Sequence, residues 1–282
     1  MTKDFWAPEN TVKSFPQRPC LACGDMYSPE NHWSERCKSC KTADRPKTKK
    51  IVNKHFNGKN LLPLEKLRVR VVNGVKMPSV TTVLHPFGID YPEHLLNQYA
   101  ARGTLVHKQV EVFLRYGIWY PAWKLANSKE AGDDKERDEL CEALDIIEKG
   151  GLKLKTSDCN FRGFYKEYRK HLTFNNLEIE SHNTKHAYCG RFDCHGTYKG
   201  KPAIIDFKTA SDYNREKLGS YFQQLSAYAN TDGMEEIKYL VVIPLSPRSA
   251  NGYEAPLVST KVKSHFREFL TKRKEFKKLY GI

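Results

Sequence analysis

From about Leu61 onward the chain switches between two hydrophobic periodicities. Leu67-Arg68-Val69-Arg70-Val71-Val72 alternates like a half-buried strand and stops at Asn73-Gly74, a turn pair. Pro92 to Tyr116 reads as helix with an expected break near Gly103, and Val106, Val110, Phe113 and Leu114 form the apolar stripe of its second half. Asp133 to Lys149 is a charged amphipathic helix, and Phe161 to Leu172 is another helix. The period then becomes two: Leu177 to Ser181, Ala187 to Tyr198 and Lys201 to Lys208 read as strands. A helix from about Arg215 to Ala229 follows, then strands at Ile237 to Ile243 and Tyr253 to Ser259, and a basic helix from Val262 to Tyr280. Helices, a cluster of strands, then helix, strand and helix predict an α/β domain with a mixed β-sheet flanked by helices.

The first 45 residues lack this patterning. They hold Cys20, Cys23, Cys37 and Cys40, two Cys-x2-Cys knuckles separated by 13 residues. Each knuckle lets two thiolates meet one ion, and two knuckles complete the closed four-cysteine shell of structural zinc. His32 lies between them and could replace one thiolate. A segment this short buries little core and needs such a staple, so 1–45 reads as a zinc-ribbon-like module. Residues 46–60 are a basic linker, and 61–282 form the main domain. The other cysteines, Cys141, Cys159, Cys189 and Cys194, are scattered and read as ordinary thiols.

Composition narrows the class. The 282 residues carry 47 basic against 33 acidic groups, a net +14, which favours a polyanion such as nucleic acid. No apolar run approaches the ~18 residues of a spanning helix, and the start lacks a signal peptide, so the expectation is a cytoplasmic protein without membrane partners.

The stretch Gly190 to Thr209 carries the chemistry. It reads as a hairpin turning at Lys199-Gly200, which sets Tyr198 opposite Lys201 and Asp193 opposite Asp206. Directly opposed carboxylates repel. A divalent cation between them accounts for the pair, and oxygen ligands suit magnesium or manganese. Lys208, two residues after Asp206, shares its face and reaches a water or phosphate there. Phe207 points into the core and leaves its carbonyl for the ion. The commoner explanation of an isolated Asp-x-Lys is a solvated ion pair; the apolar Ala203-Ile204-Ile205 run and the opposed Asp193 argue against it.

Asp193 followed by Asp206-x-Lys208 resembles the core of the PD-(D/E)XK nucleases, and more narrowly their RecB-like exonuclease branch, with mitochondrial, phage and bacterial members. Pro78-Ser79-Val80-Thr81-Thr82-Val83-Leu84 is similar to the family's opening segment. Gly103-Thr104-Leu105-Val106-His107 matches its Gly-x3-His motif, and Gln224-Leu225-Ser226-Ala227-Tyr228 its Gln-x3-Tyr motif. The resemblance covers about Leu67 to Ile243 and implies a restriction-endonuclease-like fold. It implies that His107, Asp193, Asp206 and the Phe207 carbonyl hold Mg2+ or Mn2+, and that Lys208 activates water. Gln224 and Tyr228 would position the scissile strand. Glu111 and Glu180 are further metal candidates, and His195 could touch DNA or face solvent. The branch's iron–sulfur cluster is not expected, because no cysteine follows Cys194.

The activity implied is a metal-dependent DNA exonuclease on single-stranded ends, in phage or bacterial replication, recombination or DNA degradation, with a replication or recombination protein as possible partner. Alternatives are a structure-specific endonuclease on the same fold, or an inactive zinc-bearing nucleic-acid-binding protein. The last helix and its lead-in carry eight lysines and arginines against two glutamates, so Lys272, Arg273 and Lys274 are expected to track phosphates while Phe266, Phe269, Phe276 and Tyr280 face the core.

Overall fold

The computed structural model describes residues 61–88, 92–151, 159–209, 215–246 and 249–282, together with two short strands near the start. The chain divides into two units, Met1–Lys59 and Asn60–Ile282. In the first, β1 (Arg18–Pro19) and β2 (Met26–Tyr27) pair antiparallel. The zinc reading of Cys20, Cys23, Cys37 and Cys40 falls outside the described residues.

The second unit is mixed α/β. Strands β3 (Val69–Val72) and β4 (Val75–Pro78) form a hairpin through Asn73-Gly74, both with positive φ. Ser79 caps a short helix, α1 (Val80–Leu84), by accepting the Thr82 N–H. Helix α2 runs from Glu93 to Tyr116 without the break expected at Gly103. The missing Cβ at Gly103 faces Thr209, and the neighbouring Arg102 guanidinium donates to the Thr209 carbonyl. That tertiary anchor outweighs the ~1 kcal/mol helix penalty of a glycine. Next come α3 (Ala122–Ala126), α4 (Asp134–Lys149, with a capping box from Asp133 and Glu136) and α5 (Phe161–Tyr168). Helix α5 ends four residues earlier than its periodicity suggests, because Leu172 already begins a strand.

The five-stranded sheet has the order β5 (Leu172–Asn183), β6 (Tyr188–Tyr198), β7 (Lys201–Lys208), β8 (Tyr239–Pro244), β9 (Leu257–Ser259). Only β7 and β8 are parallel, joined through α6 (Arg215–Tyr228). Their apolar runs, Ala203-Ile204-Ile205 and Leu240 to Ile243, are buried on both faces, as a parallel pair requires. One face packs Ile204, Leu240 and Val242 against α1, α6 and α7 (Val262–Tyr280). The other packs Ala203, Ile205, Phe207, Val241 and Ile243 against α2 and α5. Among the described residues no helix is long and apolar enough to cross a membrane.

The hairpin register is as the turn predicts. Tyr198 pairs with Lys201 and the ladder continues to Cys194↔Ile205, with Lys199 and Gly200 both at positive φ. Beyond that pair the strands part, at Asp193 and Asp206.

Alternation also breaks there. Phe192 packs in the α6–α7 core while Cys194, two residues on, packs in the α2–α5 core. On β5 the facing residues Ile179 and Leu177 show the same reversal around Glu178, whose φ is +53°. Two adjacent strands therefore change faces at one level, and the residues at the change, Asp193 and Glu178, are freed from the ordinary in–out rule.

Helix α7 does not present all three of its expected phosphate contacts. Arg273 is buried, and its guanidinium donates to the carbonyls of His186, Ala187 and Ile282. It sits on the side of Phe269 and Phe276, which are buried as expected. Lys274 is exposed and Lys272 half-buried.

Candidate active site

The expected residues come from three elements. Helix α2 delivers His107, one turn after the glycine that lies against Thr209. Strands β6 and β7 deliver Asp193, Asp206 and Lys208 at the point where they diverge, and α6 adds Gln224 and Tyr228.

Asp193 uses both carboxylate oxygens. Oδ2 accepts the Phe207 backbone N–H at 2.7 Å, and Oδ1 lies 3.3 Å from His107 Nδ1. Asp206 is buried and faces Lys208, whose Nζ lies 3.0 Å from Oδ1 and 2.8 Å from Oδ2. The same ammonium donates to Gln224 Oε1 at 3.3 Å and stands 5.1 Å from the centre of the Tyr221 ring. The Tyr228 hydroxyl is hydrogen-bonded with Gln224, and its ring packs on Phe192. Gly190 makes room for it: a Cβ there would come within 2.8 Å of the tyrosine ring.

A third carboxylate completes a cluster that sequence reading missed. His107, Glu178 and Asp193 each offer a ligand atom, and these atoms lie within 4.8 Å of one another. Glu180, the residue singled out from the sequence, is instead mostly exposed and paired with Arg70 at 2.9 Å. Strict alternation gives no way to choose between the two. The choice needs the β5–β6 register, in which Glu178 lies between the pairs Leu177↔Cys194 and Ile179↔Phe192 and so faces Asp193. Glu111 is spent on Lys108 at 2.7 Å and Arg115 at 2.9 Å. His195 neither shares this site nor faces open solvent; it is mostly buried and lies 3.0 Å from Glu235. The Phe207 ring sits in the core, as expected.

The electrostatics follow from burying so many charges together. Burial opposes protonation of His107, but the Asp193 charge and hydrogen bond prevail and lift its pKa to about 9. Burial likewise disfavours the Asp193 carboxylate, yet His107, Lys208 and the Phe207 N–H hold it below the usual range. For Asp206 burial wins: despite Lys208, and with the Asp193 charge nearby, its pKa rises to about 6. Glu178 is pushed to about 7, first by burial and then by Asp193, against the pull of Arg191 and His107. Lys208 is held protonated by Asp206 and Asp193 in spite of burial. Burial pushes Tyr228 to about 12.

The cluster opens into a cleft of about 1120 Å³. Its lining includes Arg68, Arg70 and Arg191, with Glu178 and Glu180 from β5, and Lys108, Asp133, Glu136 and Glu139 from α2 and the start of α4. A half-buried imidazole beside two carboxylates fits a hard or borderline divalent cation, because all three can act as deprotonated donors and none is a thiolate.

No protein-family model matches the chain, and no curated protein does. Among solved structures it is similar to the crystal structure of SSO0001, with 15% sequence identity and a TM-score of 0.29, over 71% of this chain and 84% of that one.

Proposed function

We propose that the chain is a divalent-metal-dependent deoxyribonuclease of the PD-(D/E)XK type, with a restriction-endonuclease-like fold and exonuclease activity on single-stranded ends. One observation carries this reading. At the parting of β6 and β7, Asp193 is bonded to His107 and to the Phe207 N–H, beside a buried Asp206 gripped by Lys208. Burying ions in this way is poor for stability relative to an apolar core, and clusters of strongly shifted groups in a cleft mark sites of chemistry. The choice of exonuclease rests on the family resemblance of the motifs.

His107, Asp193 and Glu178 would hold the cation. When bound, such an ion makes a water acidic enough to attack near neutral pH and offsets phosphoryl charge. The remaining work belongs to the protein. Asp206 and Asp193 raise the Lys208 pKa in spite of burial, and this ammonium would orient the attacking water and stabilise developing charge. Asp206 and Gln224 fix that ammonium from two sides. Tyr228, with its pKa near 12, retains its proton and can donate to a phosphoryl oxygen. The net +14 charge and the arginines that line the cleft, Arg68, Arg70 and Arg191, draw in the polyanion.

The test is digestion of end-labelled linear and covalently closed circular single-stranded DNA with Mg2+, with Mn2+ and with EDTA. Metal-dependent loss of the linear strand alone is expected. Cleavage of the circle would identify an endonuclease, and no cleavage of either would favour an inactive binding protein.

A further inference from the structure

We propose that Arg68, Arg70 and Arg191 form a track for the phosphates of a single nucleic-acid strand, leading away from the His107–Asp193 cluster. This rests on the nuclease reading above and specifies how its substrate lies. All three residues line the cleft that holds His107, Asp193 and Lys208. Arg191 stands two residues before Asp193 on β6, about 6.8 Å along the strand. That is close to the separation of successive phosphates on an extended nucleic-acid chain. Arg70 continues the file, because its partner Glu180 sits opposite Arg191 in the β5–β6 ladder. Arg68 follows on a fixed backbone: its N–H donates to Thr82 Oγ1 at 3.3 Å, and its carbonyl accepts the Ser79 N–H at 2.7 Å.

Two of these arginines are held in readiness. Arg191 lies 3.0 Å from Glu178 and Arg70 2.9 Å from Glu180, with side chains 57% and 49% exposed. Ion pairs in that setting are weak, whereas the planar guanidinium fork matches phosphate oxygens well. The glutamates keep the forks turned toward the cleft, and a phosphate then displaces them.

The lining that α2 and the start of α4 contribute argues for one strand rather than two. There Asp133, Glu136 and Glu139 outnumber Lys135, and Lys108 is already engaged by Glu111 and Glu136. A duplex would bring a second row of phosphates against those carboxylates. A single strand lies along the arginines alone.

The experiment is fluorescence anisotropy of a short labelled single strand, and of its duplex, with the full chain in buffer without added divalent cation. Salt is varied between ~50 and ~200 mM. Replacing Arg68, Arg70 and Arg191 together by alanine is expected to weaken single-strand binding at low salt by at least about tenfold. It should also flatten the log K against log salt slope by about 2, at about 0.7 per lost phosphate contact. The triple lysine variant, which keeps the charges, should retain the slope and shows that the alanine effect is not misfolding. An unchanged slope in the alanine variant overturns the track, as does a loss confined to the duplex. Hydrolysis is absent from this assay, so failure of the nuclease reading shows in digestion, and failure of the track shows here.

Discussion

The Phe207 backbone N–H donates to the Asp193 carboxylate at 2.7 Å, at the level where the β6–β7 ladder has just ended with Cys194↔Ile205. One more rung would set Asp193 squarely against Asp206. Like charges in that position repel. The strands part instead, and each aspartate finds a cationic partner: His107 for Asp193 and Lys208 for Asp206. The hairpin thus brings two carboxylates to one place while the loss of the ladder lets them coexist.

Glu178 rather than Glu180 lies with His107 and Asp193 in the candidate cation cluster. Glu178→Gln is expected to lower Mn2+ affinity by at least about tenfold, in the range seen when metal-site partners are removed. Glu180→Gln, which loses only an exposed pair with Arg70, should leave it nearly unchanged. Calorimetric titration of both variants reads the difference, and the reverse order would move the ligand to Glu180.

Cation binding should tighten as pH rises. His107 is raised from 6.5 to about 9, Glu178 from 4.5 to about 7, and Asp206 from 3.8 to about 6. In each case the folded chain holds the proton more firmly than the unfolded chain does. The His107 contribution is complete below pH 6.5 and lost as pH climbs through about 9. Above their unfolded values the two carboxylates increasingly disfavour the native state, up to about pH 6 for Asp206 and about 7 for Glu178. A cation held by His107, Glu178 and Asp193 competes with the protons on His107 and Glu178. The rise in melting temperature produced by Mg2+ should therefore be larger near pH 8.5 than near pH 6, and an equal rise at both would count against the ligand set.

Arg273 is a structural arginine, so neutralising Lys272 and Lys274 is the cleaner probe of phosphate tracking by α7. Arg273→Ala leaves three carbonyls without their charged donor and is expected to cost about 3 kcal/mol in chemical denaturation. Lys274→Ala, on the exposed side, should stay within ~0.5 kcal/mol. Removing Lys272 and Lys274 should flatten the salt dependence of DNA binding; an unchanged slope would exclude this helix from the interface.

Gly190 is required by the aromatic ring beside it. In Gly190→Ala the new methyl would lie 2.8 Å from Tyr228 Cε1 and 3.0 Å from its hydroxyl. Overpacking of this kind costs about 1–3 kcal/mol and displaces the tyrosine. Turnover should fall while Mn2+ affinity holds, because the new methyl meets Tyr228, and the ligand on the same strand, Asp193, lies three residues further along β6. Wild-type turnover in this variant would show that Tyr228 takes no part in positioning.

Most of the site could be read from the chain because its geometry is set by local rules. A two-residue turn with both φ positive fixes the β6–β7 register, and from the register follow the proximity of Asp193 to Asp206 and the shared face of Asp206 and Lys208. The spacings to His107 and to Gln224 and Tyr228 work because each lies on a regular helix. What escaped depends on departures from regularity or on distant partners. Glu178 is hidden by a positive-φ residue inside a strand and by the bulge near Asn176. The continuity of α2 through Gly103 depends on Thr209, more than a hundred residues away. Arg273 looks like one more surface cation until the carbonyls of His186 and Ala187 come to it from another element.

The most direct test is cleavage of a labelled linear single strand in Mn2+ by the wild-type chain, by Asp206→Ala and by Lys208→Ala, with folding checked by circular dichroism. The account predicts loss of at least ~100-fold in rate for each variant, on the scale of removing a group that stabilises developing charge. Cleavage at the wild-type rate by a folded Asp206→Ala protein would contradict it.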